Sequence, residues 1–220
     1  MILKTIPICQ ELLDIITPYS DWFFEQEDRH EMREKPNREF DFDLRKATEE
    51  DYLQHIMNKG RDHEGFPETA LCCDLSQGMN FVPSRHIEMQ QKTNKEVISF
   101  LGARNTAVWV YYPSSGFMGW HTNWNAPGYN ILLSYNTQDR GGFFRYRDPV
   151  TRERITLYDE VAGWNAKVGY FGSGRERDDI IYHCAGATTG ERLTFAFIIP
   201  DKDMWKSMIE DISGEEFNDL

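Results

Sequence analysis

The sequence is short of everything that would mark a disulfide scaffold, a zinc finger or a membrane span. It has four cysteines, Cys9, Cys72, Cys73 and Cys184, two of them adjacent, with no C-x-x-C and no regular spacing. Free buried thiols in a reducing compartment are expected. No apolar run is long enough to cross a bilayer, and Met1 to Ile16 is interrupted by Lys4, Glu11 and Asp14 without a signal-peptide pattern. A cytoplasmic protein with no membrane partner is expected. Positive charge is scarce too: 24 Lys and Arg face 36 Asp and Glu, a formal net charge of −12. That balance argues against a broad phosphate-backbone binder, so nucleic acid is not an expected partner. Internal repeats and low-complexity tracts are also missing.

What is present suffices for a packed core. Of 220 residues, 40% are apolar and 14% aromatic, which predicts a single domain over 1–220. Three parts are legible: a helical and loop N-terminal part over 1–104, a β-rich core over 105–200, and a C-terminal helix and tail over 201–220. In the first part, Ile8, Leu12, Leu13, Ile15 and Ile16 fit a helical stripe ending before Pro18. Glu25 to Lys46 reads as a surface excursion. Thr48 is a capping candidate for a short helix bearing Tyr52, Leu53, Ile56 and Met57 and closed by Gly60. Ser84 is expected to cap a helix to Leu101, with Met89, Thr93, Val97, Phe100 and Leu101 inward and Gly102 at its end.

From Asn105 the period shortens. Strands are predicted at Thr106–Tyr112, Phe117–Asn123, Tyr129–Tyr135, Gly142–Tyr146, Arg154–Tyr158, Asn165–Phe171, Ile180–Cys184 and Arg192–Ile199. Turn residues separate most of them, including Pro113-Ser114-Ser115-Gly116 and Asp139-Arg140-Gly141. About eight strands at this spacing suggest an α+β, mainly β fold: a two-sheet jelly roll, with the N-terminal helices on one face. Asp201 caps a last helix whose Trp205, Met208, Ile209 and Ile212 fall on one stripe.

Chemistry concentrates in two places. In an extended strand, His121 and Asn123 share a face, and so do Arg192 and Thr194, with Leu193, Phe195 and Phe197 opposite. His183 lies 62 positions after His121 and nine before Arg192. Two histidines and an oxygen donor on one side of a metal leave the other side open, the arrangement of non-haem Fe(II) oxygenases. An arginine with a nearby hydroxyl suits a distal carboxylate. Taken singly, a buried His is more often a hydrogen-bonded core residue, and Thr194 alone signifies only β-propensity. The case rests on the ordered set. Trp120 and Trp124 flank the proposed ligands and are read as core and rim packing, with substrate contact as the alternative. Arg145 and Arg147 suit either a solvated strand face or an acidic substrate group. Asp62-His63-Glu64 reads as surface charge, because adjacent side chains seldom converge on one ion.

The stretch from Thr106 to Pro200 resembles the Fe(II)/2-oxoglutarate-dependent oxygenases with a double-stranded β-helix, prolyl-hydroxylase-like members in particular. Their order is H-x-D/E, a distal His, then R-x-S/T. Here it is matched by His121-Thr122-Asn123, His183 and Arg192-Leu193-Thr194. Gly141-Gly142-Phe143-Phe144 resembles the family's G-G-x-L strand, and Gly190-Glu191-Arg192 its approach to the clamp. The Trp120-His121-Thr122-Asn123 tetrad is similar to phage and marine-bacterial members. The N-terminal half matches no family.

The resemblance implies a dioxygenase that uses Fe(II), 2-oxoglutarate and O2 to hydroxylate a C–H bond, releasing succinate and carbon dioxide. It implies His121, Asn123 and His183 as metal ligands. Arg192 with Thr194 would hold the 5-carboxylate, and Tyr111, Tyr129, Asn130 or Tyr135 would add a second hydrogen bond. The substrate would be a small molecule or a protein or peptide side chain. Asn123 departs from the pattern, and three readings stand: an amide ligand in an active branch, a place left to water or an anion as in related halogenases, or catalysis lost. The last leaves a non-catalytic, cupin-like jelly-roll binding module as the alternative.

Overall fold

The computed structural model describes residues 3–32, 44–59, 67–76, 82–123, 127–172 and 180–217. In chain order these give β1 (Leu3–Ile6), α1 (Gln10–Glu25), α2 (Glu50–Lys59), β2 (Ala70–Leu71), β3 (Cys73–Asp74) and α3 (Ser84–Leu101). Then follow β4 (Asn105–Tyr112), β5 (Phe117–His121), β6 (Gly128–Asn136), β7 (Gly142–Arg147), β8 (Arg154–Tyr158), β9 (Gly163–Phe171), β10 (His183–Ala187), β11 (Arg192–Ile199) and α4 (Lys202–Ser213). Short 3-10 turns occupy Glu27–Glu31 and Leu44–Thr48.

Two antiparallel sheets carry the architecture, in the orders β1-β9-β6-β11-β4-β3 and β2-β5-β10-β7-β8. The first sheet is two-faced because β11 alternates. Leu193, Phe195, Phe197 and Ile199 pack toward the helices, beside Leu12 and Ile16 of α1, Val97 of α3 and Trp205 of α4. Ala196 and its neighbours Val110 and Leu132 pack instead against Met118 and Phe144 of the second sheet. Each such residue contributes on the order of 1.5–3 kcal/mol by leaving water. A third cluster lies on the outer face of the second sheet, where Tyr52, Leu53 and Ile56 of α2 cover Phe117, Trp120 and Phe143. The N-terminal helices are therefore divided between the two sheets and do not share one face, a departure from expectation.

Other departures have local causes. The first helix starts later than expected and runs through Pro18 to Glu25. A proline inside a helix costs about 3 kcal/mol. Here the helix beyond it carries Tyr19 and Phe23, both fully buried. Tyr19 meets Trp109 and Phe195 edge-on at 5.1 and 5.4 Å. Leu3–Ile6, expected to lie in the helical region, instead pairs with Ala166–Gly169 of β9. Ser84 is the first helical residue of α3 and makes no capping bond. The inward stripe of α3 is His86, Gln90, Thr93, Val97 and Leu101, with Phe100 41% exposed. Gly102 does end that helix, in the left-handed region at φ 61°. Asp201 caps α4 through its Oδ1, which accepts from the Met204 N–H at 2.9 Å. Gly60, expected to close α2, and the Asp62–Glu64 cluster lie outside the described residues.

Candidate functional site

The two sheets face each other across a cavity of about 390 Å³. His121 ends β5 and His183 begins β10, and the two are Cα partners across that ladder. Their ring centroids stand 4.2 Å apart, and both residues are buried. The His121 Nδ1 lies 2.8 Å from the Gly119 carbonyl, and the His183 Nδ1 lies 3.0 Å from that of Ile181. A carbonyl oxygen only accepts, so each Nδ1 carries the hydrogen and the lone pair of the neutral ring sits on Nε2. Burial pushes His121 down to about 4, against hydrogen bonds to the Gly119 and His183 backbone. His183 lies well below its usual value through burial and the charge of His121. Both rings are thus neutral near pH 7, in the form that binds metals. Phe144 stacks on the His183 ring and Phe171 meets it edge-on.

Asn123 lies just past the end of β5 and lines the same cavity as both histidines. Among the described residues, no three His, Cys, Asp or Glu side chains converge to hold an ion. The Asn123 amide oxygen is an oxygen donor of another kind on the same cavity wall. Thr122, which strand alternation would set opposite His121 and Asn123, also lines the cavity. Strict alternation ends with the strand, at His121.

Arg192 sits in the same inward-facing row of β11 as Thr194 and is fully buried. Its Nε donates to Asp159 Oδ2 at 3.0 Å and its Nη2 to Ser134 Oγ at 2.8 Å. The guanidinium carbon stands 5.3 Å from the Tyr112 ring centroid. Ser134 Oγ is 3.4 Å from Thr194 Oγ1, and Thr194 and Tyr112 both line the cavity. Asp159 also binds Lys167 Nζ. Burial raises the Asp159 carboxyl, but the charges of Arg192 and Lys167 outweigh it and hold it below the usual range. Burial lowers Lys167, against the pull of Asp159.

No family model matches the sequence, and no curated protein does. Solved structures overlap it loosely. A Pseudomonas putida prolyl-4-hydroxylase shares 11% identity at a TM-score of 0.39, over 90% of this chain and 91% of that one. A Burkholderia pseudomallei oxidoreductase of the 2OG-Fe(II) oxygenase family shares 9% at 0.35, over 67% and 76%. The viral collagen prolyl hydroxylase of Paramecium Bursaria Chlorella virus-1 shares 12% at 0.30, over 73% and 92%. Likeness this loose carries no argument about function, which has to come from the cavity.

The cavity collects His121, Asn123, His183, Thr194 and Asn130. Asn130 already donates its Nδ2 to the Gly128 carbonyl at 2.8 Å. Tyr129 and Tyr135 are not brought to it. Odd-numbered positions of β6 face the helices, so Tyr135 stacks on Phe24 and Tyr129 packs on Tyr170 and Trp205. Tyr111 likewise turns outward and donates to Glu191. Trp120 is part of the outer cluster under α2 and donates its Nε1 to the Glu49 carbonyl at 3.1 Å. Arg145 is engaged by Thr156, the Thr48 carbonyl and Glu49. Trp124 lies outside the described residues. Ser134, Tyr112, Asp159 and Lys167 were missed by sequence reasoning. Their signal was faint: a lysine inside the apolar run of β9, and the polar residues Asn130, Ser134 and Asn136 on one face of β6.

Proposed function

We propose that this chain is an Fe(II)- and 2-oxoglutarate-dependent dioxygenase with a double-stranded β-helix, of a divergent H-x-N branch, that hydroxylates a C–H bond. The observation that carries the reading is the pair of neutral imidazoles. They are register partners on adjacent strands, and each has its Nδ1 hydrogen committed to a carbonyl. Metal-binding histidines are commonly oriented in this way. His121 and His183 would hold iron through Nε2, with the Asn123 amide oxygen as the third ligand. Bound there, iron supplies oxidative decarboxylation of 2-oxoglutarate to succinate and carbon dioxide, and with it the activation of O2. The chain's own residues do the rest. Thr194 on the cavity wall, with Ser134 and Arg192 buried behind it, would bind and orient the distal carboxylate. Val108, Met118, Leu132 and Phe144 wall the cavity and keep water from the reacting centre. The described lining residues are uncharged apart from the titratable histidines. This suits a neutral group on a small molecule or a peptide side chain as the site of attack.

Asn123 favours a second reading. A neutral amide binds a hard cation less firmly than a carboxylate, so a metal-free binding module for a small carboxylate is the competing account. A metal titration separates the two. Fe(II) under nitrogen, or Co(II) followed by its visible spectrum, is expected to bind one equivalent of wild-type protein. His121→Ala and His183→Ala should each lose that binding while keeping the far-ultraviolet spectrum of the fold. Asn123→Ala should weaken binding without abolishing it. Equal metal binding in wild type and His121→Ala would remove the dioxygenase reading.

A further inference from the structure

The clamp arginine belongs to a larger buried group. Arg192, Lys167 and Asp159 are each at most 1% exposed at the side chain, and the two cations share the single carboxylate. Of the guanidinium, the Nε–Nη2 edge is taken up by Asp159 and Ser134. Nη1 is buried and has no partner among the described residues. Asn136, the Cα partner of Arg192 across the ladder, is also fully buried, with neither amide atom bonded to a described residue. Leaving buried polar groups unpaired is costly. Each such group calls for an explanation, and beside an excess positive charge a bound anion supplies one.

We infer that Asp159 and Lys167 set the net charge of the arginine clamp that receives the co-substrate. The resident carboxylate grips the guanidinium by one edge, and Lys167 leaves the group one positive charge in excess. The distal carboxylate of 2-oxoglutarate balances that charge at the buried, unpartnered Nη1. The inference rests on the dioxygenase reading and adds to it why the clamp is built from three charges. An isolated Arg–Asp pair is already neutral and would attract a further carboxylate weakly. With Lys167 sharing Asp159, two cations face two anions once the ligand is in, and each charge is paired. Lys167 acts through Asp159 and is not itself required to touch the ligand.

The roles of the two residues predict opposite effects on ligand binding, which a purely structural salt bridge would not. The experiment titrates 2-oxoglutarate into the full chain loaded with Mn(II) under nitrogen, and reads both Kd and the ligand-induced rise in Tm. Lys167→Met removes the excess positive charge and should raise Kd about tenfold and shrink the rise in Tm. Asp159→Asn should lower the Tm of the ligand-free protein and enlarge the rise, because the ligand then supplies the missing anion. If Asp159→Asn fails to fold, Lys167→Met decides alone. Variants that lose stability yet keep the wild-type Kd and rise in Tm would overturn this inference and leave the dioxygenase reading standing. Absence of 2-oxoglutarate binding in wild type would overturn both.

Discussion

Two backbone oxygens determine what His121 and His183 can do. By taking the Nδ1 hydrogen of each ring, the carbonyls of Gly119 and Ile181 fix the tautomer and turn a pair of buried histidines into a pair of donors. This was not legible in the residue types, which are the same for a structural histidine. The ordered set of His121, His183 and Arg192 was legible because strand alternation puts Arg192 and Thr194 inward, and they are inward. Tyr129 and Tyr135 stood as candidates beside Asn130 because sequence does not fix the register after Asn123, and a shift of one residue moves every side chain of β6 to the other face. The serine beside Tyr135, Ser134, is the residue that meets the clamp. Gly142 also takes its meaning from this site. A Cβ there would lie 2.5 Å from Asn136 Oδ1, 2.7 Å from Arg192 Cδ and 2.7 Å from Asp159 Oδ2. Gly142→Ala should therefore lower stability by about 1–3 kcal/mol and weaken 2-oxoglutarate binding with it, measured by urea unfolding and ligand titration. An unchanged unfolding midpoint would show that the cluster is looser than its geometry suggests.

Among the elements, those with clean patterns were readable and those that depend on a distant partner were not. α4 followed its stripe and its cap, and β11 and β8 kept their expected bounds. β1 could not be separated from the helical region by period alone, since only its pairing with β9 makes it a strand. The inward stripe of α3 is displaced because His86 fills an inner position by bonding Asp28, on the turn after α1, at 3.1 Å. Burial lowers His86 below its usual value, against the pull of Asp28. Burial raises Asp28, but hydrogen bonds from His86 and Arg85 outweigh it and leave the carboxyl lowered. Both shifts have the same sign for stability. The unfolded chain takes up protons at a higher pH than the fold does, so stability is lost as pH falls. The His86 contribution declines from about pH 6.5 and that of Asp28 from about pH 4. In Asp28→Asn the lower part of that acid decline should flatten while the upper part remains, read as unfolding midpoint against pH. Parallel curves for the two proteins would refute the assignment.

At the scale of the molecule, the helical half is a structural partner of the clamp strand. α1, α3 and α4 cover the outward residues of β11, and Arg29 after α1 binds Glu191, next to Arg192, through Nε at 3.3 Å and Nη2 at 3.1 Å. The second sheet is backed by α2 in the same way. The cavity thus lies between two sheets that are each supported from behind, with His121, Thr122, Asn123 and His183 on its wall where β5 ends and β10 begins. No described helix is long and apolar enough to cross a membrane. The measurement that tests the central claim most directly is succinate formation from 2-oxoglutarate by the purified protein with Fe(II) in air. The account predicts slow succinate release even without a substrate, abolished under nitrogen and in His121→Ala. Folded, iron-loaded protein that releases no succinate above the His121→Ala background, with or without candidate substrates, would contradict it.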